Sequence, residues 1–271
     1  MVVVAHPGDE AFGFGGAIAR AASTGAYVVV VCVTRGFFDA RLARKSPAPG
    51  GKNRDPKTSA VVWRNVDTVR EDELRRSVAL LGVNVVRVLD YAEGDLERVD
   101  FDELVSRIVE PIRMHQPQVI ASFGPDGVTG DRDHVVVSRA VSAAFDAAGE
   151  PLTYEDDIEE DQVAWRAAKL YELVVPAGRL GDGPAGVPDG YGSPEGHQSL
   201  TLQLGELAQL KLAAIGSHVS QTGSNGPFSD WSDAARDAFL ASESYRLARS
   251  NLPVPAGASA VAESDLFDGL P

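Results

Sequence analysis

The chain has a single cysteine, Cys32, and lacks any hydrophobic run long enough to span a bilayer. One cysteine excludes an internal disulfide bond, and its place inside the apolar run 27–33 predicts a buried, small hydrophobic side chain. The lack of a long apolar run excludes a transmembrane helix. A strand is predicted almost at the first residue, which leaves no space for a signal peptide. We therefore expect a cytoplasmic protein.

Basic side chains are also scarce. The sequence has 25 Lys and Arg residues against 39 Asp and Glu residues, a formal net charge of -14. An acidic surface repels both the phosphate backbone of nucleic acids and anionic membrane surfaces. We therefore expect a small-molecule partner, with no nucleic acid and no membrane, while the oligomeric state stays open.

The 271 residues, 44% of them hydrophobic, are enough for one α/β domain with a substantial core. Strands are predicted at 2–5, 27–34, 83–89, 118–122 and 168–175. Helices are predicted at 17–23, 70–81, 101–115, 133–147, 204–217 and 233–249. This alternation predicts a Rossmann-like, open and mostly parallel sheet with helices on both faces.

The predicted domain covers residues 1–250, and residues 251–271, rich in Pro, Ala and Gly, are predicted to form a flexible C-terminal tail. Two Gly- and Pro-rich segments, 37–62 and 178–199, are predicted surface loops. They are the expected specificity loops, and neither identifies the substrate.

The first chemical motif is Ala-His-Pro-Gly-Asp-Glu, residues 5–10, directly after the first predicted strand. Ligands of open parallel sheets bind beyond the carboxyl ends of the strands. His6 and Asp9 lie there, and an imidazole and a carboxylate on one tight turn can share a metal ion. Alone, however, this sequence is a common turn.

The second motif is Gly-Pro-Asp-Gly-Val-Thr-Gly-Asp-Arg-Asp-His, residues 124–134, between the fourth strand and a helix. Asp133 is predicted to cap that helix. His134 would stand in its first turn, where the helix dipole does not favour a cationic ring. His6, Asp9 and His134 therefore form a plausible three-ligand site, and three protein ligands with one open position are typical of catalytic zinc.

These motifs resemble the LmbE-like (PIG-L) superfamily of zinc-dependent N-deacetylases, which carry Ala-His-Pro-Asp-Asp-Glu and, later, His-x-Asp-His before a helix. The resemblance runs in order to about Arg249. Its further matches are Gly15-Gly16, Thr34-Arg35-Gly36, Arg70-Glu71-Asp72-Glu73-Leu74, Leu80-Leu81-Gly82-Val83 and the segment from Lys211 to Gln221.

The resemblance implies a Zn²⁺ site formed by His6, Asp9 and His134, and an amino-sugar-like or other N-acyl amine as the substrate. Metal identity rests on that likeness, since these ligand types also admit iron, cobalt or manganese. Arg70 would meet an anionic part of the substrate, although a surface ion pair is equally compatible with its position. His218 would line the pocket and assist the oxyanion, or else make a structural hydrogen bond.

Two positions depart from the family pattern. Gly8 replaces the general-base Asp, and Asp131 replaces the first His of His-x-Asp-His, which helps to hold the developing oxyanion. Losing a general base typically costs about 10²- to 10⁴-fold in rate, and losing an oxyanion donor a further ~10²- to 10³-fold. The family's usual mechanism, with both groups lost, predicts almost no turnover.

Three interpretations follow. In the first, Asp131 takes over as general base from the opposite loop, and the protein is an atypical zinc-dependent N-deacetylase. In the second, it binds metal and ligand without hydrolysis and has a non-hydrolytic or regulatory role. In the third, the fold serves a different metal-dependent reaction. Glu10 is a weaker substitute for the base, and Glu93, after the third strand, could contact sugar hydroxyls or simply be solvated.

Overall fold

A seven-stranded sheet in the order β3-β2-β1-β4-β5-β7-β6 runs through the computed structural model. The structure describes residues 1–36, 66–151, 153–154, 162–176, 198–222, 233–253 and 263–271. The predicted loop 37–62 and residues 178–197 of the second predicted loop lie outside the described residues. In the described part of the chain, no helix is both long and apolar enough to cross a membrane.

The strands are β1 (Val2–Val4), β2 (Val29–Thr34), β3 (Val85–Tyr91), β4 (Val119–Phe123), β5 (Lys169–Val174), β6 (Leu200–Gln203) and β7 (Ser242–Ser250). The helices are α1 (Asp9–Ser23), α2 (Val66–Leu80), α3 (Phe101–His115), α4 (Arg132–Ala147), α5 (Leu207–Gly216), α6 (Val219–Thr222) and α7 (Asp233–Ala241). Two shorter helical turns are Leu96–Arg98 and Gly127–Gly130.

The predicted fold class is confirmed. Strands β1 to β5 are mutually parallel, and β7 runs antiparallel to both β5 and β6. Every residue of β1, β2 and β4 is buried, as expected for central parallel strands rich in β-branched side chains. The helices pack in two groups, α1 with α2 and α5, and α3 with α4.

The fold places the two chemical motifs side by side. Strand order reverses between β1 and β4, which are hydrogen-bonded neighbours. At such a switch point, the loops that leave the two carboxyl ends diverge and open a crevice. The turn after β1 carries His6 and Asp9, and the loop after β4 leads to His134. Residues far apart in sequence therefore meet at one edge of the sheet.

The first helix is longer than the predicted 17–23, because α1 begins at Asp9 and includes Gly13, Gly15 and Gly16. The amides of Gly16 and Ala17 donate to the Glu243 carboxylate at 2.7 and 2.8 Å. Lys211 and Tyr245 also donate to Glu243. Glycine suits this helix because neighbouring side chains approach its backbone closely.

The prediction of one helix over 233–249 was wrong in its second half, which forms β7. Ala, Arg and Leu in this segment favour a helix by propensity. The tertiary context decides otherwise, because β7 fills the gap between β5 and β6, and its Tyr245 is fully buried. The short strand β6 was also not predicted.

Part of the predicted flexible tail is packed against the domain. Glu263 pairs with buried Lys169 at 2.5 Å, and Asp265 pairs with Arg20 at 2.6 Å. Leu266 is only 5% exposed. Composition predicted the tail, but these few side chains find specific partners in the sheet and in α1. Residues 254–262 lie outside the described part of the chain.

Gly16→Ala is expected to lower the free energy of unfolding by about 1–2 kcal/mol. A Cβ there would lie 2.3 and 2.6 Å from the methyl carbons of buried Leu204, and overpacking of about 1–3 kcal/mol outweighs the ~1 kcal/mol gain in helix propensity. Gly216→Ala, also helical but with no neighbour within 4 Å, is the matched control and should not destabilise. Urea unfolding measures both; equal stabilities would contradict the packing argument.

Candidate metal centre

His6 presents one ring nitrogen to the site because its other ring nitrogen is occupied. Its Nε2 lies 3.0 Å from Oδ2 of Asp133, a buried carboxylate. Asp133 also accepts from the Gly94 amide at 2.6 Å and the Leu96 amide at 3.2 Å. A carboxylate partner fixes the imidazole tautomer and its orientation. In the neutral imidazole Nε2 therefore carries the hydrogen, and Nδ1 is the nitrogen left to bind a metal ion.

His134, in the first turn of α4, is held in the same manner. Its Nδ1 lies 3.1 Å from the carbonyl oxygen of Gly127, so Nδ1 donates and Nε2 offers a lone pair. The ring stacks on Phe123 at the end of β4, with centroids 4.0 Å apart and planes 5° apart. Stacking and hydrogen bond together leave the imidazole little freedom to turn.

The three predicted ligands converge. His134 Nε2 lies 3.3 Å from His6 Nδ1 and 3.3 Å from Asp9 Oδ2, and His6 Nδ1 lies 3.5 Å from Asp9 Oδ2. Two lone pairs and a carboxylate at such distances repel one another unless they share a cation or protons. Ligands about 2.0–2.1 Å from a tetrahedral cation stand roughly 3.4 Å apart. The donor set and its spacing therefore fit a divalent transition metal.

When no cation is bound, protons on the two imidazoles offset the negative charge of Asp9. Burial alone would lower the pKa of His6, but the hydrogen bond to Asp133 and the charge of Asp9 raise the pKa to about 9. The pKa of His134 is also raised, because Asp9 outweighs the opposing effect of burial. Burial would raise the pKa of Asp9, and the two imidazoles lower it well below its usual range instead.

Metal binding is therefore expected to release protons and to strengthen as the pH rises. Below its pKa of about 9, His6 is mainly protonated in the metal-free protein, and a metal ion must displace that proton. Apparent affinity should rise about tenfold per pH unit for each proton displaced, between about pH 6.5 and 8.5. Competition with a chromophoric chelator measures it. An affinity independent of pH would contradict the shared-proton arrangement.

The N-cap of α4 is Asp131, whereas Asp133 was the predicted cap. One Asp131 oxygen, Oδ1, accepts from the amides of Asp133 at 2.9 Å and His134 at 3.2 Å. Asp133 is free from capping and turns inward to His6. The reason is positional: in Asp-Arg-Asp-His only the first Asp precedes the helix, and a capping side chain must come from there.

Asp131, the predicted general base, lies beside the predicted ligands. A carboxylate oxygen of Asp131 and ring nitrogens of His6 and His134 all lie within 4.8 Å of one another. Asp131 is exposed, whereas both imidazoles are buried. The fold thus brings the Asp131 carboxylate to the exposed side of the site.

The backbone conformation at position 8 favours glycine. Its φ is 113°, a conformation that costs any residue with a Cβ. Its amide donates at 2.7 Å to Glu10. Glu10 is fully buried and also accepts from Ser77 Oγ at 2.6 Å. Glu10 thus holds the turn in place through the Gly8 amide and Ser77.

His218 stands behind that turn. Its Nε2 lies 2.6 Å from Oε1 of Glu10, and the residue has no exposed surface. A Cβ on Gly8 would lie 3.9 Å from its Nδ1, which has no hydrogen-bond partner among the described residues. The structure thus joins His218 to the site through Glu10, and its ring does not line an open pocket.

Arg70 and Glu93, the predicted substrate contacts, form an ion pair. The Arg70 side chain is 6% exposed, and its Nη2 donates to the carbonyl oxygen of Pro7 at 3.0 Å. The Glu93 side chain keeps 28% of its surface exposed. Arg70 therefore secures the turn that carries His6 and Asp9, while Glu93 retains a surface toward solvent.

The contributions of Asp133 and Ser77 were missed from sequence. The partner of Asp133 is 127 positions away and that of Ser77 is 67 positions away. No local sequence pattern predicts contacts between residues so far apart in the chain. The available signal for Asp133 was its place two residues beyond another Asp, which left it free of capping.

Known proteins resemble this chain in sequence and in fold. The family profile described as PIG-L, GlcNAc-PI de-N-acetylase, matches residues 1–145. A 1D-myo-inositol 2-acetamido-2-deoxy-alpha-D-glucopyranoside deacetylase of Streptomyces griseus is 28% identical over 300 residues, covering 100% of this chain and 88% of the relative.

Solved structures share the fold. The N,N'-diacetylchitobiose deacetylase of Pyrococcus horikoshii has a TM-score of 0.67 at 17% identity, with 91% of this chain and 82% of that chain covered. GalB, the 4-carboxy-2-hydroxymuconate hydratase of Pseudomonas putida, has a TM-score of 0.64 at 17% identity, with coverages of 94% and 98%. Because a deacetylase and a hydratase share this fold, the site must decide the chemistry.

Proposed function

The chain belongs to the GlcNAc-PI de-N-acetylase (PIG-L) family, and on that premise we propose that it is a metal-dependent N-deacetylase of an amino-sugar derivative. Its reaction would be hydrolysis of an N-acyl amide, in which water and the amide give a carboxylate and a free amine. The Streptomyces griseus relative is named for a 2-acetamido-2-deoxyglucoside of inositol, and the Pyrococcus horikoshii protein for diacetylchitobiose. Both names contain N-acetylated glucosamine, which defines the substrate class we propose.

One observation carries the proposal: the ring nitrogens His6 Nδ1 and His134 Nε2 and the Asp9 carboxylate lie 3.3–3.5 Å from one another. His6, Asp9 and His134 would hold a divalent ion, with zinc expected from the family. Such an ion polarises an acyl oxygen and lowers the pKa of water beside it.

The protein's own groups divide the remaining work. Asp131 accepts the proton of the attacking water, because it is the exposed carboxylate near both ring nitrogens and a general base must reach that water. Asp133 keeps the His6 ring in its metal-binding orientation. Glu10, with His218 behind it, holds the Gly8 amide and thus the turn.

The substrate would meet the site from the side of Glu93. The Glu93 carboxylate is partly exposed, and its ion pair with buried Arg70 fixes its position. We propose that Glu93 accepts hydrogen bonds from sugar hydroxyls and that Arg70 acts on the substrate through Glu93 rather than by direct contact.

The test is product release by the full chain. Metal-stripped protein and protein reloaded with Zn²⁺, Mn²⁺, Co²⁺ or Fe²⁺ are incubated with N-acetylglucosaminyl-inositol, diacetylchitobiose and N-acetylglucosamine. We expect equal amounts of acetate and primary amine from at least one loaded form and none from stripped protein. Bound metal without release from any substrate would instead favour a catalytically silent binder, the second interpretation of the sequence.

A further inference from the structure

We infer that Asp131 is a fourth protein ligand of the cation in the substrate-free protein, which makes the site a two-histidine, two-carboxylate centre. The consequence is metal selection: compared with a three-ligand site, this centre shifts preference from zinc toward ions with more than four coordination positions, such as Mn²⁺. The inference rests on the proposed function for the metal site itself.

The first support is the anchoring of the carboxylate. Asp131 Oδ1 is committed to the amides of Asp133 and His134. These two hydrogen bonds fix the plane of the group at the start of α4. Its second oxygen has no hydrogen-bond partner among the described residues, and one carboxylate oxygen lies within 4.8 Å of the ring nitrogens of His6 and His134. The anchor and His134 are on the same helical turn, so the carboxylate and this imidazole are held together.

The second support is charge. Asp9 and Asp131 together bring two negative charges, which balance a divalent cation. A histidine at position 131, as in the family pattern, would bring none. Carboxylate oxygens suit manganese and magnesium, whereas imidazole suits zinc, copper, iron and nickel. Replacing His by Asp here therefore changes the donor set in the direction of harder cations.

The third support is the number of coordination positions that each metal ion offers. Four protein ligands complete the tetrahedron that zinc prefers and leave no open position, as in structural zinc sites. An ion with five or six positions keeps room for water and for an acyl oxygen. Asp131 would then be a ligand in the substrate-free protein and the general base when substrate is bound.

The experiment compares affinities rather than activity. Mn²⁺ and Zn²⁺ affinities are measured by chelator competition for the wild type, Asp131→Asn and Asp100→Asn. Asn caps helices as well as Asp does, so Asp131→Asn removes only the charge and the second acceptor oxygen. Asp100 caps α3 through amides two and three residues on, which makes Asp100→Asn the matched control.

Zinc binds such sites more tightly than manganese in absolute terms. The quantity compared between variants is therefore the ratio of the Mn²⁺ affinity to the Zn²⁺ affinity. We expect Asp131→Asn to weaken Mn²⁺ binding by at least about tenfold and Zn²⁺ binding by clearly less. Asp100→Asn should match the wild type. Equal losses for both ions, or no loss, would overturn the inference.

Asp131→Ser provides a second variant, since serine also caps helices and carries no carboxylate. It should show the same shift in ratio. The outcomes separate the two proposals. A shifted ratio without any acetate release defeats the proposed activity alone, whereas acetate release with an unshifted ratio defeats the fourth ligand alone.

Discussion

Asp131→Asn is expected to lower the kcat of deacetylation by roughly 10²- to 10⁴-fold, the usual effect of removing a general base. Position 8 carries no side chain that could replace it, and Glu10 is fully buried and committed to Gly8 and Ser77. The amide side chain keeps the helix cap, so the free energy of unfolding should change little. Steady-state kinetics and urea unfolding on the same preparation measure both.

Asp100→Asn is the control for losing a capping carboxylate, and its kcat should equal that of the wild type. If Asp131→Asn retains wild-type kcat, another group activates the water. The proposal that Asp131 is the general base would then be wrong.

His134→Ala is expected to abolish stoichiometric metal binding and to lower kcat/KM by at least about 10³-fold, because metal stabilisation of the transition state is worth several kcal/mol. The imidazole also fills the space against Phe123 and bonds Gly127. Some loss of stability is therefore expected, and the comparison must be made below the unfolding transition. Elemental analysis after dialysis gives the metal content.

His115→Ala is the matched control, since His115 ends α3 and its ring lies near Tyr27, away from the candidate centre. It should keep both metal and activity. Wild-type metal content in His134→Ala would show that the cation is held elsewhere.

The sequence predicted the central part of the fold because its strands are nearly continuous apolar runs. Burial of every residue in β1, β2 and β4 follows from such runs. The prediction from sequence failed for β7. Alternating Ser, Glu, Tyr and Arg residues there form no apolar run, and Ala and Arg favour a helix. This segment forms a strand because it pairs with β5 and β6, and neither pairing can be read from the segment itself.

The ligand triad was predictable for a topological reason. Loops after adjacent parallel strands must share one edge of the sheet. His6 lies in the turn after β1, and His134 lies in the first turn of α4, which follows the loop after β4. The supporting groups were not predictable, because Asp133 and His218 act on partners 127 and 208 positions away. The distinction between capping by Asp131 and capping by Asp133 required the observed start of α4.

The change at position 8 also became clearer from the backbone. The resemblance implies that Gly8 stands where the family has its general base, and the structure shows a φ of 113° at Gly8. Restoring an aspartate there would place a Cβ in a conformation that residues other than glycine rarely adopt. Gly8→Asp, even combined with Asp131→His, is therefore expected to restore the family arrangement only with backbone strain.

The most direct measurement is anomalous diffraction from crystals of the full chain soaked in a divalent transition metal. The account predicts one strong peak about 2.0–2.2 Å from His6 Nδ1, His134 Nε2 and an Asp9 oxygen. Crystals that show no peak between these atoms, or a peak bound only by other residues, would contradict it.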